Sequence, residues 1–309
     1  MPSFITHHLF GKDLAILLEG RSAELIKQHP IPYHWGLQGP DIFFFHRIFS
    51  GRKSSLPQYG TILHTQKTDQ LFQVMAQEIS AYSGRLEFDE LLAYYIGFIG
   101  HYCLDCSAHP YVYSKQVELQ KRLSPKHWRG LHHRIESDID SSLYRLKEHR
   151  PVNTFPVKRN YRIDDRFALS LAIVYHKVLS SLYGLNIKPE ELRRSLGDAV
   201  RAFTIEVEPT GFLFRSVTRA AEKVSGQGEL LSAFLKKPGA SFSILNREHH
   251  GWSSADKPEL RRFDSFLDLY YSALFEAKRM TLAAVKAVTQ GREFVPKGLI
   301  SFDAGSLRK

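Results

Sequence analysis

The chain has 309 residues, of which 43% are hydrophobic and 12% aromatic, and its formal net charge is +10. This composition can build a sizeable apolar core, and it excludes disordered, fibrous and collagen-like proteins. The basic balance favours anionic partners such as phosphate esters, nucleic acid or lipid headgroups, without choosing among them.

The sequence carries no recognisable targeting signal. The opening MPSFITHHLFGKDLAILLEG lacks the basic region, apolar region and cleavage site of a signal peptide. The longest nearly apolar run, 91–104, is too short to span a bilayer. Cysteine usage is low, as in reducing compartments. We therefore expect a cytoplasmic protein without a transmembrane segment, and no protein partner can be inferred.

Helical periodicity dominates the chain, and we predict an all-α fold, a multi-helix bundle forming one domain over residues 1–309. Loops are indicated where Pro, Gly, Ser and charged residues cluster, at 30–62, 150–164 and 238–260. The apolar run 41–49, DIFFFHRIF, is the best strand candidate, although it also fits a buried loop or helix. The predicted helices span 12–28, 68–82, 87–108, 128–148, 166–184, 189–203, 211–236 and 262–289.

The predicted helix 87–108 leads into the stretch GHYCLDCSAHP, which holds three metal-type ligands at intervals of four residues. His101, Asp105 and His109 fall nearly on one helix face, so their side chains would converge. Pro110 disfavours helical backbone at His109 and is predicted to end the helix there.

The same stretch contains the only two cysteines, Cys103 and Cys106, at C-x2-C spacing. This spacing is found in zinc and redox sites, but no second cysteine pair exists to complete a four-thiolate site. We therefore interpret both as small buried residues beside the site.

Further candidate ligands lie on either side of this helix. His132 and Glu136 are one helical turn apart in HHRIE, and Asp41 follows the turn Gly39-Pro40. His64 and His7 precede the central stretch, and 11 of the 15 histidines fall within residues 1–133. Nitrogen and oxygen ligands without thiolate suit zinc in a multinuclear hydrolytic site, although manganese and iron also accept them.

The order of these residues carries a family resemblance: H, then G-P-D, then H, then H-x3-D-x3-H, then H-x3-E. It resembles the zinc-dependent phospholipase C family, whose fold is related to the trinuclear zinc nucleases and to the N-terminal domain of glycosylphosphatidylinositol-specific phospholipase D. The opening MPSFITHHLFG looks like the start of the cytoplasmic bacterial members. The resemblance covers about residues 1–140, and 150–309 are expected to be supporting helices.

The resemblance implies two or three zinc ions. One would be held by Asp41, His64, His101 and Asp105, and a second by His109, His132 and Glu136. A third would be bridged by Asp105 and bound by His7 and the N-terminal amine and carbonyl, with His8 as the alternative to His7. The best-studied members begin with a tryptophan that chelates this third ion, whereas this chain begins Met-Pro.

The resemblance further implies a phosphodiester hydrolase of the phospholipase C type, in which zinc-activated water attacks phosphorus and Asp41 orients or deprotonates that water. The substrate would be an anionic phosphate ester, either a phospholipid headgroup or a nucleotide. Arg134 or the lysines of 115–126 are candidates for contacting the phosphate. The alternatives are a zinc-dependent nuclease or nucleotidase, or a non-catalytic metal-binding protein. A nuclease would need exposed aromatic residues for base stacking, and the candidates are Trp35, Phe43, Phe44 and Tyr111.

Overall fold

A computed structural model describes residues 4–50, 52–128, 130–207, 210, 212–225, 232–239 and 241–304. Within these ranges nearly all of the regular secondary structure is helical, which confirms the all-α prediction. The α-helices are α1 Phe4–Leu17, α2 Gly20–Gln28, α3 Pro30–Gly36, α4 Leu56–Thr65, α5 Thr68–Ser80, α6 Glu87–Gln120, α7 Leu131–Glu148, α8 Val157–Asn160, α9 Asp165–Tyr183, α10 Pro189–Val207, α11 Leu213–Ser225 and α12 Phe266–Thr289. Short 3-10 helices cover Gly39–Phe45, Pro125–His127, Val152–Thr154 and Phe242–Leu245.

Helix α6 forms the centre of the fold. Every residue from 91 to 105 is buried, and α6 packs against α3 and α12, with α1, α7 and α9 also in contact. A helix that is apolar on all sides is typical of such a central position. The buried part of α6 includes His101 and Asp105, so these two polar side chains lie inside the core.

Two glycines allow α3 to cross α6 at close range. A Cβ atom on Gly36 would lie 2.0 Å from the carbonyl oxygen of Tyr94, and one on Gly97 would lie 2.3 Å from that of Tyr33. No larger residue fits at either position without moving the backbone. This crossing fixes the end of α3, and with it the 3-10 helix Gly39–Phe45 that carries Asp41, against the central helix.

The predicted end of the central helix at Pro110 is wrong, because α6 continues to Gln120 with Pro110 inside it. An internal proline removes one helical hydrogen bond and costs about 3 kcal/mol. The residues that follow, Tyr111 and Val112, are fully buried. We attribute the continuation to this packing, which outweighs the local cost.

The predicted loop 30–62 is also wrong in part, since it contains α3 and most of α4. Pro30 and Pro57 lie in the first turns of these helices. The missing N–H of proline costs no hydrogen bond there, because an N–H in the first turn has no acceptor within the helix. The strand candidate 41–49, for which a buried loop or helix was equally open, is the 3-10 helix Gly39–Phe45 followed by turns. A short apolar run does not by itself distinguish these conformations.

Other boundaries differ more modestly. The predicted helix 12–28 is two helices, α1 and α2, which meet at Gly20 with a φ of +57°. The predicted loop 238–260 contains β1 Trp252–Ser254, which pairs antiparallel with β2 Lys257–Arg262. Of the predicted helix 211–236, α11 accounts for Leu213–Ser225 and 226–231 lie outside the described residues, but 232–236 form a turn and loop, so the prediction is wrong at its end. None of the helices in the described ranges combines the length and apolar character needed to cross a bilayer.

Candidate metal centre

The fold brings all eight predicted ligand residues into three neighbouring groups. Within each group the candidate ligand atoms lie within 4.8 Å of one another. Seven of the eight side chains are buried, and His132 is partly exposed. The groups are His7, His101 and Asp105; Asp41, His64 and His101; and His109, His132 and Glu136.

Asp105 lies between the first two groups. Its Oδ1 is 3.2 Å from His7 Nε2, and its Oδ2 is 3.2 Å from His101 Nε2 and 3.9 Å from His64 Nε2. Burial opposes ionisation of this carboxyl, but the imidazoles of His101 and His109 outweigh burial and hold the pKa of Asp105 well below its usual range. A buried carboxylate anion with its two oxygens facing different imidazoles has the geometry of a bridging ligand.

Asp41 is brought to the same point by the turn at Gly39. Gly39 has a φ of +50°, and a Cβ atom there would lie 2.3 Å from the ring of His101, so only glycine fits. Asp41 Oδ1 lies 2.9 Å from His64 Nε2 and 3.7 Å from His101 Nε2. Burial raises the pKa of Asp41 to about 6, against the lowering effect of His64. Burial lowers the pKa of His64, but the bond to Asp41 outweighs burial and leaves that pKa raised.

The third group joins α6 to α7. His132 and Glu136 lie one turn apart on α7, with His132 Nε2 2.9 Å from Glu136 Oε1. Burial lowers the pKa of His109 to about 4, which favours the neutral imidazole that a metal ion requires. Burial raises the pKa of Glu136, but His132 outweighs it and holds that pKa well below its usual range.

Four of the imidazoles are oriented by a second contact at Nδ1. Such a contact fixes the ring and directs Nε2 into the cluster, as in metal-binding histidines generally. The acceptors are Gly60 O for His64 at 2.7 Å, Leu37 O for His101 at 3.2 Å, Phe302 O for His109 at 2.6 Å and Gln116 Oε1 for His132 at 3.0 Å.

Beyond the imidazole–carboxylate contacts within the three groups, the inward-facing atoms have no hydrogen-bond partner among the described residues. Buried polar atoms without partners are rare, because each carries a desolvation cost. Bound divalent cations would satisfy all of them at once, and this set of nitrogen and oxygen donors fits zinc. These atoms are His7 Nε2, Asp41 Oδ1, His64 Nε2, His101 Nε2, both carboxylate oxygens of Asp105 and His109 Nε2.

The two adjacent histidines of α1 lie in different environments. The ring of His7 stacks on His101 at 4.3 Å, next to Asp105. The ring of His8 lies 4.6 Å from His34, outside the three groups. The geometry therefore places His7, and not the alternative His8, at the candidate centre. The N-terminal amine lies outside the described residues.

The cysteines take no part in the three groups. Cys103 is buried, and Cys106 donates a hydrogen bond to the carbonyl oxygen of Ser301. Burial raises the pKa of both thiols, so they stay protonated at neutral pH. Their positions agree with a packing role.

A segment that the sequence did not single out, the C-terminal strap (residues 299–303), lies across the centre. The N–H of Phe302 and the hydroxyl of Ser301 both donate to the carbonyl oxygen of His64, at 3.0 and 2.8 Å. Phe302 O accepts the Nδ1 contact of His109, and its buried ring packs against His64 at 5.1 Å. The later part of the chain thus contributes directly to the site and does not only support it.

A cleft of about 660 Å³ opens beside the ligands. Of the aromatic residues considered for base stacking, only Phe44 lines it, since Trp35, Phe43 and Tyr111 are fully buried core residues. Arg134 is not among the described residues that line it. The lining includes the candidate ligands Asp41, His64, His132 and Glu136 and the apolar residues Phe44, Phe45, Ile48, Phe203 and Phe234.

A buried charge cluster supports the first turn of α1, and it too was missed from the sequence. Asp140 lies one turn after Glu136 on α7. Its Oδ1 accepts hydrogen bonds from the backbone N–H of Thr6 at 2.8 Å and from the Thr6 hydroxyl at 2.6 Å. The buried ammonium of Lys236 lies 3.0 Å from Asp140 and 3.3 Å from Glu206. This cluster fixes the residue that precedes His7.

Removal of the buried ammonium should destabilise the fold. We expect Lys236→Met to lower the free energy of unfolding by about 3–5 kcal/mol, because two buried carboxylates then lose their counter-charge. The matched control is Lys237→Met, whose half-exposed ammonium pairs with Asp138 at 2.8 Å and should contribute only about 0–1 kcal/mol. Urea denaturation of both variants measures the difference, and equal stability would contradict the role given to Lys236.

Comparison with protein-family models gives a match over the part of the chain that holds these candidate ligands. The sequence model of the family described as zinc dependent phospholipase C matches residues 6–182. The matched range contains all eight candidate ligand residues but not the C-terminal strap, Lys236 or α11. No curated protein and no solved structure matches the chain.

Proposed function

Because the chain belongs to the zinc-dependent phospholipase C family, we propose that it is a zinc-dependent phosphodiester hydrolase acting on phospholipid. The observation that carries the proposal is the convergence of buried imidazole nitrogens and carboxylate oxygens, which have only one another as partners among the described residues, at the side of an open cleft. Such a constellation has a high desolvation cost unless it binds cations.

The proposed ligands are the eight residues of the three groups. Asp41, His64, His101 and Asp105 would hold one ion, and His109, His132 and Glu136 another. His7 together with Asp105 would serve a third. We favour zinc because the family is zinc-dependent and because the donor set contains imidazole and carboxylate without thiolate.

Zinc bound in this centre would lower the pKa of a bound water. Its positive charge would also balance the negative charge on the phosphoryl oxygens. Asp41 is the proposed catalytic carboxylate, since it lines the cleft beside the candidate ligand His64 and could there orient or deprotonate the attacking water. The strap and the backbone acceptors hold the imidazoles in place while the substrate binds.

The family favours a lipid substrate over a nucleotide. The apolar residues of the cleft suit the apolar part of a lipid, although Phe44, Phe45, Phe203 and Phe234 among them are aromatic and could also stack on bases. The ammonium of Lys236 also lines the cleft, but Asp140 and Glu206 already balance its charge. The phosphate would therefore be bound by the metal ions rather than by basic side chains.

The proposal predicts zinc-dependent hydrolysis of phosphodiesters. Protein purified without chelator should cleave a chromogenic phosphodiester, lose this activity in excess chelator and regain it with added zinc. A panel of phosphatidylcholine, phosphatidylethanolamine, single-stranded DNA and a mononucleotide then identifies the substrate class. Faster cleavage of DNA than of every lipid would favour the nuclease alternative. Stoichiometric zinc without hydrolysis of any ester would favour a non-catalytic metal-binding protein.

A further inference from the structure

Helix α11 is amphipathic, with its apolar face directed towards solvent. At 100° per residue, the apolar side chains of α11 fall within about a third of the helix circumference. Leu213, Val217 and Val224 on this face are 56%, 59% and 89% exposed, and the preceding Phe212 is 68% exposed. The complete face comprises Leu213, Phe214, Val217, Ala220, Ala221 and Val224, all of them exposed.

Two residues of the opposite, polar face contact neighbouring described parts of the chain. The buried carboxylate of Glu222 accepts hydrogen bonds from the backbone N–H and the hydroxyl of Ser232, at 3.1 and 2.5 Å. Arg215 donates to the carbonyl oxygen of Leu235 at 3.1 Å. This orientation is the reverse of that in an ordinary surface helix, whose apolar side packs on the core.

The contact between Arg215 and Leu235 places α11 at the border of the cleft. Phe234 and Lys236, on either side of Leu235, both line the cleft. Arg219 and Lys223 are exposed on one flank of the apolar face, and the whole chain carries a net charge of +10. An apolar face flanked by basic residues is typical of helices that lie in the interface of an anionic membrane.

From these observations we infer that α11 docks the protein on anionic lipid surfaces, with its apolar face inserted among the headgroups and the cleft held next to the bilayer. The inference rests on the proposed function for the identity of the surface, since a phospholipid hydrolase must meet its substrate at a membrane. It concerns a helix outside the matched family range of 6–182.

The test is cosedimentation with vesicles of equal parts phosphatidylcholine and phosphatidylglycerol, and with vesicles of phosphatidylcholine alone. The full chain should bind the anionic vesicles more tightly. The double variant Leu213→Asp with Val217→Asp should bind them about tenfold more weakly or worse, because two inserted apolar side chains are replaced by charges. Both sites are exposed, so the melting temperature should not change.

The matched control also replaces two exposed apolar residues by aspartate, but outside α11: Ile16→Asp with Leu86→Asp. Both residues are 80% exposed. The control should bind vesicles like the unmodified chain. Equal binding by the α11 variant and the control would overturn the inference. The inference would also be overturned if neither the unmodified chain nor the α11 variant bound vesicles and the unmodified chain formed a dimer that the α11 substitutions convert to a monomer. That result would assign the face to a second copy of the chain.

The same variants separate this inference from the proposed function. The α11 variant should hydrolyse a water-soluble chromogenic phosphodiester at the unmodified rate while losing most of its activity on vesicle lipid. Absence of hydrolysis of any ester by the unmodified chain would contradict the proposed function. Vesicle binding that depends on α11 would still be measurable in that case.

Discussion

Replacement of Asp105 by asparagine should remove most of the bound zinc and lower phosphodiester hydrolysis by more than about a hundredfold. Even residues that only support a metal ligand cost about 10–100-fold in affinity or activity when they are changed. Asp105 faces three imidazoles from the centre of the cluster, and its two oxygens have no other partner among the described residues. An amide in its place removes the negative charge that two neighbouring cations would share.

The control for Asp105→Asn is Cys103→Ser on the same helix. Cys103 is buried but belongs to none of the ligand groups, so this variant should keep its zinc. Elemental analysis of both purified variants measures the difference directly. Equal zinc loss in the two variants, or greater loss in Cys103→Ser, would mean that the C-x2-C pair binds metal and that the ligand face of α6 is wrongly identified.

Chelation should lower the melting temperature by roughly 5–15 °C, and added zinc should restore it. A ligand present at a thousand times its dissociation constant stabilises the folded state by about 4 kcal/mol, which corresponds to a shift of this order in a chain of this size. Zinc would bind the folded state and scarcely the unfolded one, because the candidate ligands come from distant parts of the chain, from His7 to Glu136.

The double variant His101→Ala with His132→Ala removes a ligand from every group. It should melt at the same temperature with and without chelator, as measured by calorimetry. An unmodified protein that shows no response to chelator, after elemental analysis has verified that the metal is gone, would contradict the metal centre itself.

The ligand spacing could be predicted from the sequence because it is local. Helical periodicity places His101, Asp105 and His109 on one face of α6 regardless of what packs against it, and the same holds for His132 and Glu136 on α7. The role of these residues as ligands remains a prediction for the experiments above. The fold class was equally accessible, since apolar residues recur at helical intervals along most of the chain.

The positions that the sequence could not predict depend on contacts between distant residues. The composition around Pro30 and Pro57 predicts a loop, but each proline lies in the first turn of a helix. Local composition does not distinguish a proline in a loop from one in the first turn of a helix. Asp140 and Lys236 look like ordinary surface charges until α1 and α7 are packed together. The strap has no motif at all, because most of its contacts are made through backbone atoms.

The strap has a consequence for the order of events during biosynthesis. All eight ligand residues emerge from the ribosome in the first half of the chain, but the carbonyl group that orients His109 belongs to Phe302, near the other end. A nascent chain therefore displays His109 before the carbonyl group that orients it has been made, whereas the acceptors for His64, His101 and His132 are already present. We expect the group that contains His109 to bind zinc tightly only after residue 303 has been translated and has folded against it.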